Sequence, residues 1–93
     1  MNQRIRVNLE GYIYLVIYIK ETFHNNNLVV ILVDGILDEE SIQILKEVCY
    51  RHFQGGNKIE LNLEGLIHIS REGKDFLRDI WDKVSFVRYP DSI

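Results

Sequence analysis

The chain has 93 residues, of which 46% are apolar and 27% charged, with a net charge of −3. A chain of this size forms one compact unit that buries roughly 60–65% of the surface its unfolded form exposes, enough for one modest core. The weak acidity excludes a nucleic acid or an anionic membrane surface as the implied partner, and the single cysteine, Cys49, excludes an internal disulfide.

Met1-Asn2-Gln3-Arg4 leads straight into alternating apolar and polar residues, with no signal-peptide pattern. The longest apolar run, Tyr12 to Ile19, is far short of the ~20 residues that cross a bilayer. The expectation is a cytoplasmic protein with no direct membrane insertion and a single domain over residues 1–93.

Ile5, Val7 and Leu9 alternate with polar residues and predict a strand, with a turn at Glu10-Gly11. Tyr12 to Ile19 is crowded with β-branched and aromatic residues, which favours a second strand. Its isoleucines and Leu15 point one way, and Tyr12, Tyr14, Val16 and Tyr18 the other. His24-Asn25-Asn26-Asn27 suits a hairpin turn, because Asn tolerates left-handed backbone angles. Leu28 to Val33 is continuously apolar and reads as a central strand buried on both faces.

Asp38 predicts a helix N-cap, and Ile42, Leu45, Val48, Cys49 and Phe53 share one face of the helix that follows. Glu47 and Arg51 are spaced to pair on its outer side, and Gly55-Gly56 ends it. Lys58 to Leu63 alternates as a strand. Ser70 is the next N-cap, opening a helix whose apolar face is Gly73, Phe76, Leu77, Ile80 and Val84, with Asp79 and Lys83 pairing outside. Phe86, Val87 and Tyr89 form a last strand before Pro90, the sole proline. Strands alternating with helices imply parallel pairing through right-handed crossovers. The fold expected is α/β, a mixed sheet of four or five strands with two helices on one face.

Two segments resemble a known family. Gly35-Ile36-Leu37-Asp38 is similar to the G-x-L-D that opens the first helix of STAS domains, the family of the anti-sigma-factor antagonists. Leu61-Asn62-Leu63-Glu64-Gly65-Leu66-Ile67-His68-Ile69-Ser70-Arg71-Glu72-Gly73 is similar to the family's strand, loop and helix start, usually L-D-L-S-G-V-x-x-I-D-S-S-G. The resemblance covers about residues 12 to 90 and implies a STAS-like regulatory module that binds an anti-sigma factor or a kinase-like protein. In the family a serine of the second motif is phosphorylated, and the added charge breaks the complex. Here Ser70 stands at the family's Asp, Arg71 at its phosphorylatable Ser, and Asn62 at the strand Asp. The resemblance therefore implies a partner-binding surface at Ser70, Arg71 and Glu72, with Gly35 and Asp38 beside them, and without the phosphoserine switch. It leaves two alternatives, a cytoplasmic accessory subunit of a lipid or anion transport system and a homodimeric scaffold.

Other residues read plainly. Asp34 and Asp38 are a turn acid and an N-cap, not a metal pair. His24, His52 and His68 are too scattered for a zinc site and read as surface or loop residues. Cys49 lies on an apolar helix face and reads as a core residue. No phosphate-cradling glycine motif or nucleophile elbow is present, so the reading is of no enzyme, no cofactor and no metal. Tyr12, Tyr14 and Tyr18 form a further patch, suited either to cross-strand packing or to a homodimer or partner contact.

Overall fold

The computed structural model describes the backbone of residues 2–9 and 12–90 and the side chains of 17–85 and 87–90. The elements are β1 (Asn2–Leu9), β2 (Tyr12–His24), β3 (Leu28–Leu37), α1 (Ser41–Gln54), β4 (Lys58–Asn62), β5 (Leu66–Ile69), α2 (Arg71–Ile80) and β6 (Phe86–Arg88). The sheet runs β1-β2-β3-β4-β6, and β5 pairs with β3 beyond the end of β4. β1/β2 and β2/β3 are antiparallel, whereas β4 and β5 on β3, and β6 on β4, are parallel. The sheet is mixed and carries both helices on one face, as expected; β5 is an addition.

The hairpin between β2 and β3 closes through Asn26 and Asn27, both with positive φ (65° and 59°). The Glu10-Gly11 turn lies outside the described residues, as do the side chains of Tyr12 and Tyr14. By register Tyr12 and Tyr14 lie opposite Leu9 and Val7, and β1 and β2 slip by one residue between Ile5 and Arg6.

Alternation sets the core. Ile17 and Ile19 of β2, Val29, Ile31 and Val33 of β3, and Ile59 and Leu61 of β4 are buried on the helix-covered face. Against them pack Ile42, Leu45, Val48 and Cys49 of α1 and Phe76, Leu77 and Ile80 of α2. Each such aliphatic side chain contributes about 1.5–3 kcal/mol of transfer free energy. The helix-free face corrects one expectation: Leu28, Val30 and Leu32 are half-buried there, so β3 is central but fully buried on one side only.

Three helix details also differ. α2 stops at Ile80, short of Val84, and turns follow to Ser85. Arg51 turns from Glu47 to Glu21, Nη2 lying 3.3 Å from Oε1. Asp75, rather than Asp79, is paired on the outside of α2, with Arg78 at 3.5 Å.

His52 overturns its surface assignment, while His24 and His68 are exposed. It is buried on α1, taking the place that Phe53, half-buried, was expected to hold. Its Nε2 hydrogen-bonds Oε1 of Glu21, a carboxylate with 2% side-chain exposure, and Asn57 Nδ2 is 3.1 Å from its Nδ1. An imidazole carrying its proton on Nε2 satisfies both contacts, donating to Glu21 and accepting from Asn57.

Cys49 is a core residue, as expected. Burial, with a smaller contribution from the Glu21 carboxylate, pushes its thiol from 9.0 up to about 12. An acid raised on folding stays protonated where its unfolded counterpart ionises. The folded state then binds more protons, and stability falls as pH rises from 9.0 towards about 12. Cys49→Val is expected to flatten this alkaline loss, measured as urea midpoints at about pH 8 and about pH 10.5. Equal losses in the two proteins would refute it.

Candidate functional site

The two sequence motifs meet where β3 and β5 deliver the chain into α1 and α2. Asp38 follows β3 and caps the turn into α1. Its Oδ1 accepts from the amides of Glu40 (3.1 Å) and Ser41 (3.0 Å), satisfying donors that a helix start leaves free. Ser41 is buried; its hydroxyl donates to the Ile36 carbonyl at 2.7 Å and accepts from the Asp38 amide at 2.9 Å. The regular helix therefore begins at Ser41, and Glu39 and Glu40 stand exposed in the turn.

Ser70 follows β5 and caps α2 in extended backbone geometry, its Oγ accepting from the Gly73 amide at 3.1 Å. Its own N–H donates to the Leu37 carbonyl at 2.9 Å, which ties the second motif to the first. Gly73 lets the helix come this close: a Cβ there would lie 2.7 Å from the Leu37 carbonyl oxygen. Arg71 and Glu72, the first two helical residues, are exposed.

The fold thus brings Asp38, Ser70, Arg71 and Glu72 to one end of the sheet. Gly35 shapes that end from behind. It is half-buried at φ +100°, beside a register shift against β5, and its N–H donates to the Gly65 carbonyl at 3.1 Å. Asp34 is a strand residue of β3 and not a turn acid. Tyr18, half-buried, pairs in register with Asp34 and alternates with the buried Ile17 and Ile19, which puts it on the helix-free face, apart from this edge.

From this edge a groove of about 300 Å³ runs between the helices. Glu39, Glu72, Asp75 and Asp79 line it with Lys46 and Phe76. Lys46 Nζ lies 6.0 Å from the Phe76 ring centre, and four carboxylates against one ammonium make the groove anionic. Among the described residues no group of His, Cys, Asp or Glu could hold a metal ion, and no helix is long and apolar enough to cross a membrane. Ser70 Oγ is engaged in capping, and Arg71 and Glu72 stand exposed beside it. The acidic stripe Glu72, Asp75, Asp79 was missed from the sequence, although its i, i+3, i+7 spacing on α2 could have shown it.

No protein-family model matches the sequence, and no curated protein matches it. Among solved structures, the chain is similar to the crystal structure of an anti-sigma factor antagonist from Mycobacterium paratuberculosis. The TM-score is 0.66 at 17% identity, over 82% of this chain and 71% of that one. The fold is STAS-like, the class to which the two motifs pointed.

Proposed function

We propose that the chain is a non-catalytic regulatory module that binds a protein partner at the edge where α1 and α2 begin, without a phosphoserine switch. The observation that carries this is the α2 start. Ser70 is engaged as the cap, and the exposed first helical position, where the resemblance expects a phosphorylatable serine, holds Arg71. The STAS-like fold and its likeness to an anti-sigma factor antagonist support a kinase-like or anti-sigma partner. The anionic groove beside the edge favours a basic surface on that partner.

The test is affinity capture with the native chain and with Arg71→Glu/Glu72→Lys, both positions being exposed. A kinase-like anti-sigma factor recovered by the native chain and lost with the variant is the expected result. Incubation of the captured pair with ATP should leave the chain unphosphorylated; phosphate on Ser70 would contradict the missing switch.

The helix-free face supports a second reading, a homodimeric scaffold or a subunit docked on a transport complex. Leu28, Val30 and Leu32 line that face of β3, with Tyr18 alongside on β2. Recovery of transport ATPase subunits, or a dimeric mass by light scattering with no captured kinase, would favour it.

A further inference from the structure

Helix α2 divides its charges into two stripes. Glu72, Asp75 and Asp79 line the groove towards α1, whereas Arg71, Lys74 and Arg78, also spaced i, i+3, i+7, follow the opposite flank. The buried face, Gly73, Phe76, Leu77 and Ile80, lies between them on the inner side. On the basic flank is a second groove, of about 440 Å³, lined by Ile69, Lys74, Leu77, Arg78, Trp81 and Tyr89. Its lining includes two cations and no carboxylate. Trp81 and Tyr89 stack at 6.1 Å between ring centres, inclined by 20°, and form an aromatic wall.

Both rings are large apolar surfaces left open, Trp81 at 58% and Tyr89 at 44% exposure. A scattered exposed apolar residue is ordinary; two that stack beside a cavity with an aliphatic floor are not scattered. Trp, Tyr and Arg are the residues that most often anchor protein contacts, and all three meet here. Arg78 reaches across the ridge to Asp75 Oδ1 at 3.5 Å, but both side chains are solvent-exposed, so the contact is weak and exchangeable.

We infer that this groove is a second docking site, for an acidic segment of a partner protein that seats one apolar side chain against Trp81 and Tyr89. Charge complementarity sets the occupant: Lys74 and Arg78, one turn apart, flank the aromatic wall and match carboxylates on either side of an apolar anchor. A single-stranded nucleic acid would use similar rings but needs a longer cationic track, and here the acidic stripe runs along the same helix. The site lies on the opposite flank of α2 from the acidic groove, so it does not depend on the partner reading given above.

Trp81 is the sole tryptophan, so its emission reports on this groove. The probes are short random peptides selected on phage against the full chain, then synthesised and titrated while Trp81 emission is followed. The expected peptides carry Asp or Glu around a Leu or aromatic residue, shift the emission, and lose affinity as salt rises. Lys74→Glu/Arg78→Glu should weaken them by roughly tenfold or more and favour lysine-substituted versions. The neutral pair Lys74→Gln/Arg78→Gln, with unchanged circular dichroism, separates this from loss of the helix. Selected peptides without acidic bias, an unmoved emission, or equal affinity for the charge variants would overturn the proposal. So would a dimer that Trp81→Ala converts to monomer, since a second copy would then occupy the groove.

Discussion

His52→Ala is expected to cost about 1–3 kcal/mol of folding stability, the range for leaving a buried hydrogen-bonding group without its partner. A domain of this length has roughly 5–14 kcal/mol in total, so the variant should melt at least ~4 °C lower. Glu21 lies on the helix-covered face of β2, its side chain 2% exposed and held by His52 Nε2. Losing the imidazole removes that hydrogen bond and leaves a cavity beside the carboxylate, with the Arg51 guanidinium, half exposed, at 3.3 Å. The reverse truncation should cost less. In Glu21→Ala the buried carboxylate itself is gone, His52 can keep Asn57, and Arg51 can turn to water. Replacing both residues by leucine removes the desolvation problem together with the attraction, and should recover most of the loss. The cluster sits near the C-terminal end of α1, and Asp38 and Ser70 lie at the other, so partner binding by the folded His52→Ala fraction should be unchanged. Urea midpoints of the two singles and the double decide the matter. A loss below ~1 kcal/mol for His52→Ala would show that the pair is not holding α1 on the sheet.

The cluster escaped the sequence for a physical reason. Leu45, Val48, Cys49 and His52 recur at helical spacing, but Phe53 competes for the same position on apolarity alone. What decides for His52 is Glu21, 31 residues earlier and on another element. A strand pattern that places Glu21 in line with Ile17 and Ile19 was the available signal, because a carboxylate on a core face needs a buried partner. Strand β5 was missed because Leu66 to Ile69 is buried only at its two ends, and its register against β3 slips at Gly35 and Ile36. The end of α2 carries no glycine or proline stop, so the helix read on to Val84 and the Trp81–Tyr89 wall stayed hidden. By contrast, the cap at Ser70, the Asn hairpin and the α1 stop at Gly55-Gly56 are local devices, and each stands where local chemistry placed it, whereas Asp38 caps the preceding turn and the regular α1 starts three residues on, at Ser41.

Gly73→Ala should be destabilising although it replaces a poor helix former by the best one. In an open helix this change gains about 1 kcal/mol. Here the new methyl would meet the Leu37 carbonyl oxygen at 2.7 Å and Ile69 Cγ2 at 3.0 Å. That carbonyl is backbone and already accepts the Ser70 N–H, so it cannot yield without opening the link between the two motifs. We expect a net loss of about 1–3 kcal/mol, as for overpacking elsewhere, and a displaced Ser70–Glu72 turn that weakens partner binding in the protein that remains folded. Gly65→Ala is the instructive contrast. Its nominal contacts are far closer, 1.7 Å to Asp34 Oδ1 and 2.5 Å to its Cγ, yet both atoms belong to a half-buried side chain that a χ1 rotation moves, with Cβ left at 3.3 Å. The order of stability should therefore be native, then Gly65→Ala, then Gly73→Ala, the reverse of what the distances alone suggest. Urea midpoints measure the order, and a Gly73→Ala chain as stable as the native one would mean that α2 and β3 are not in the tight contact that joins the two motifs at the proposed partner-binding edge.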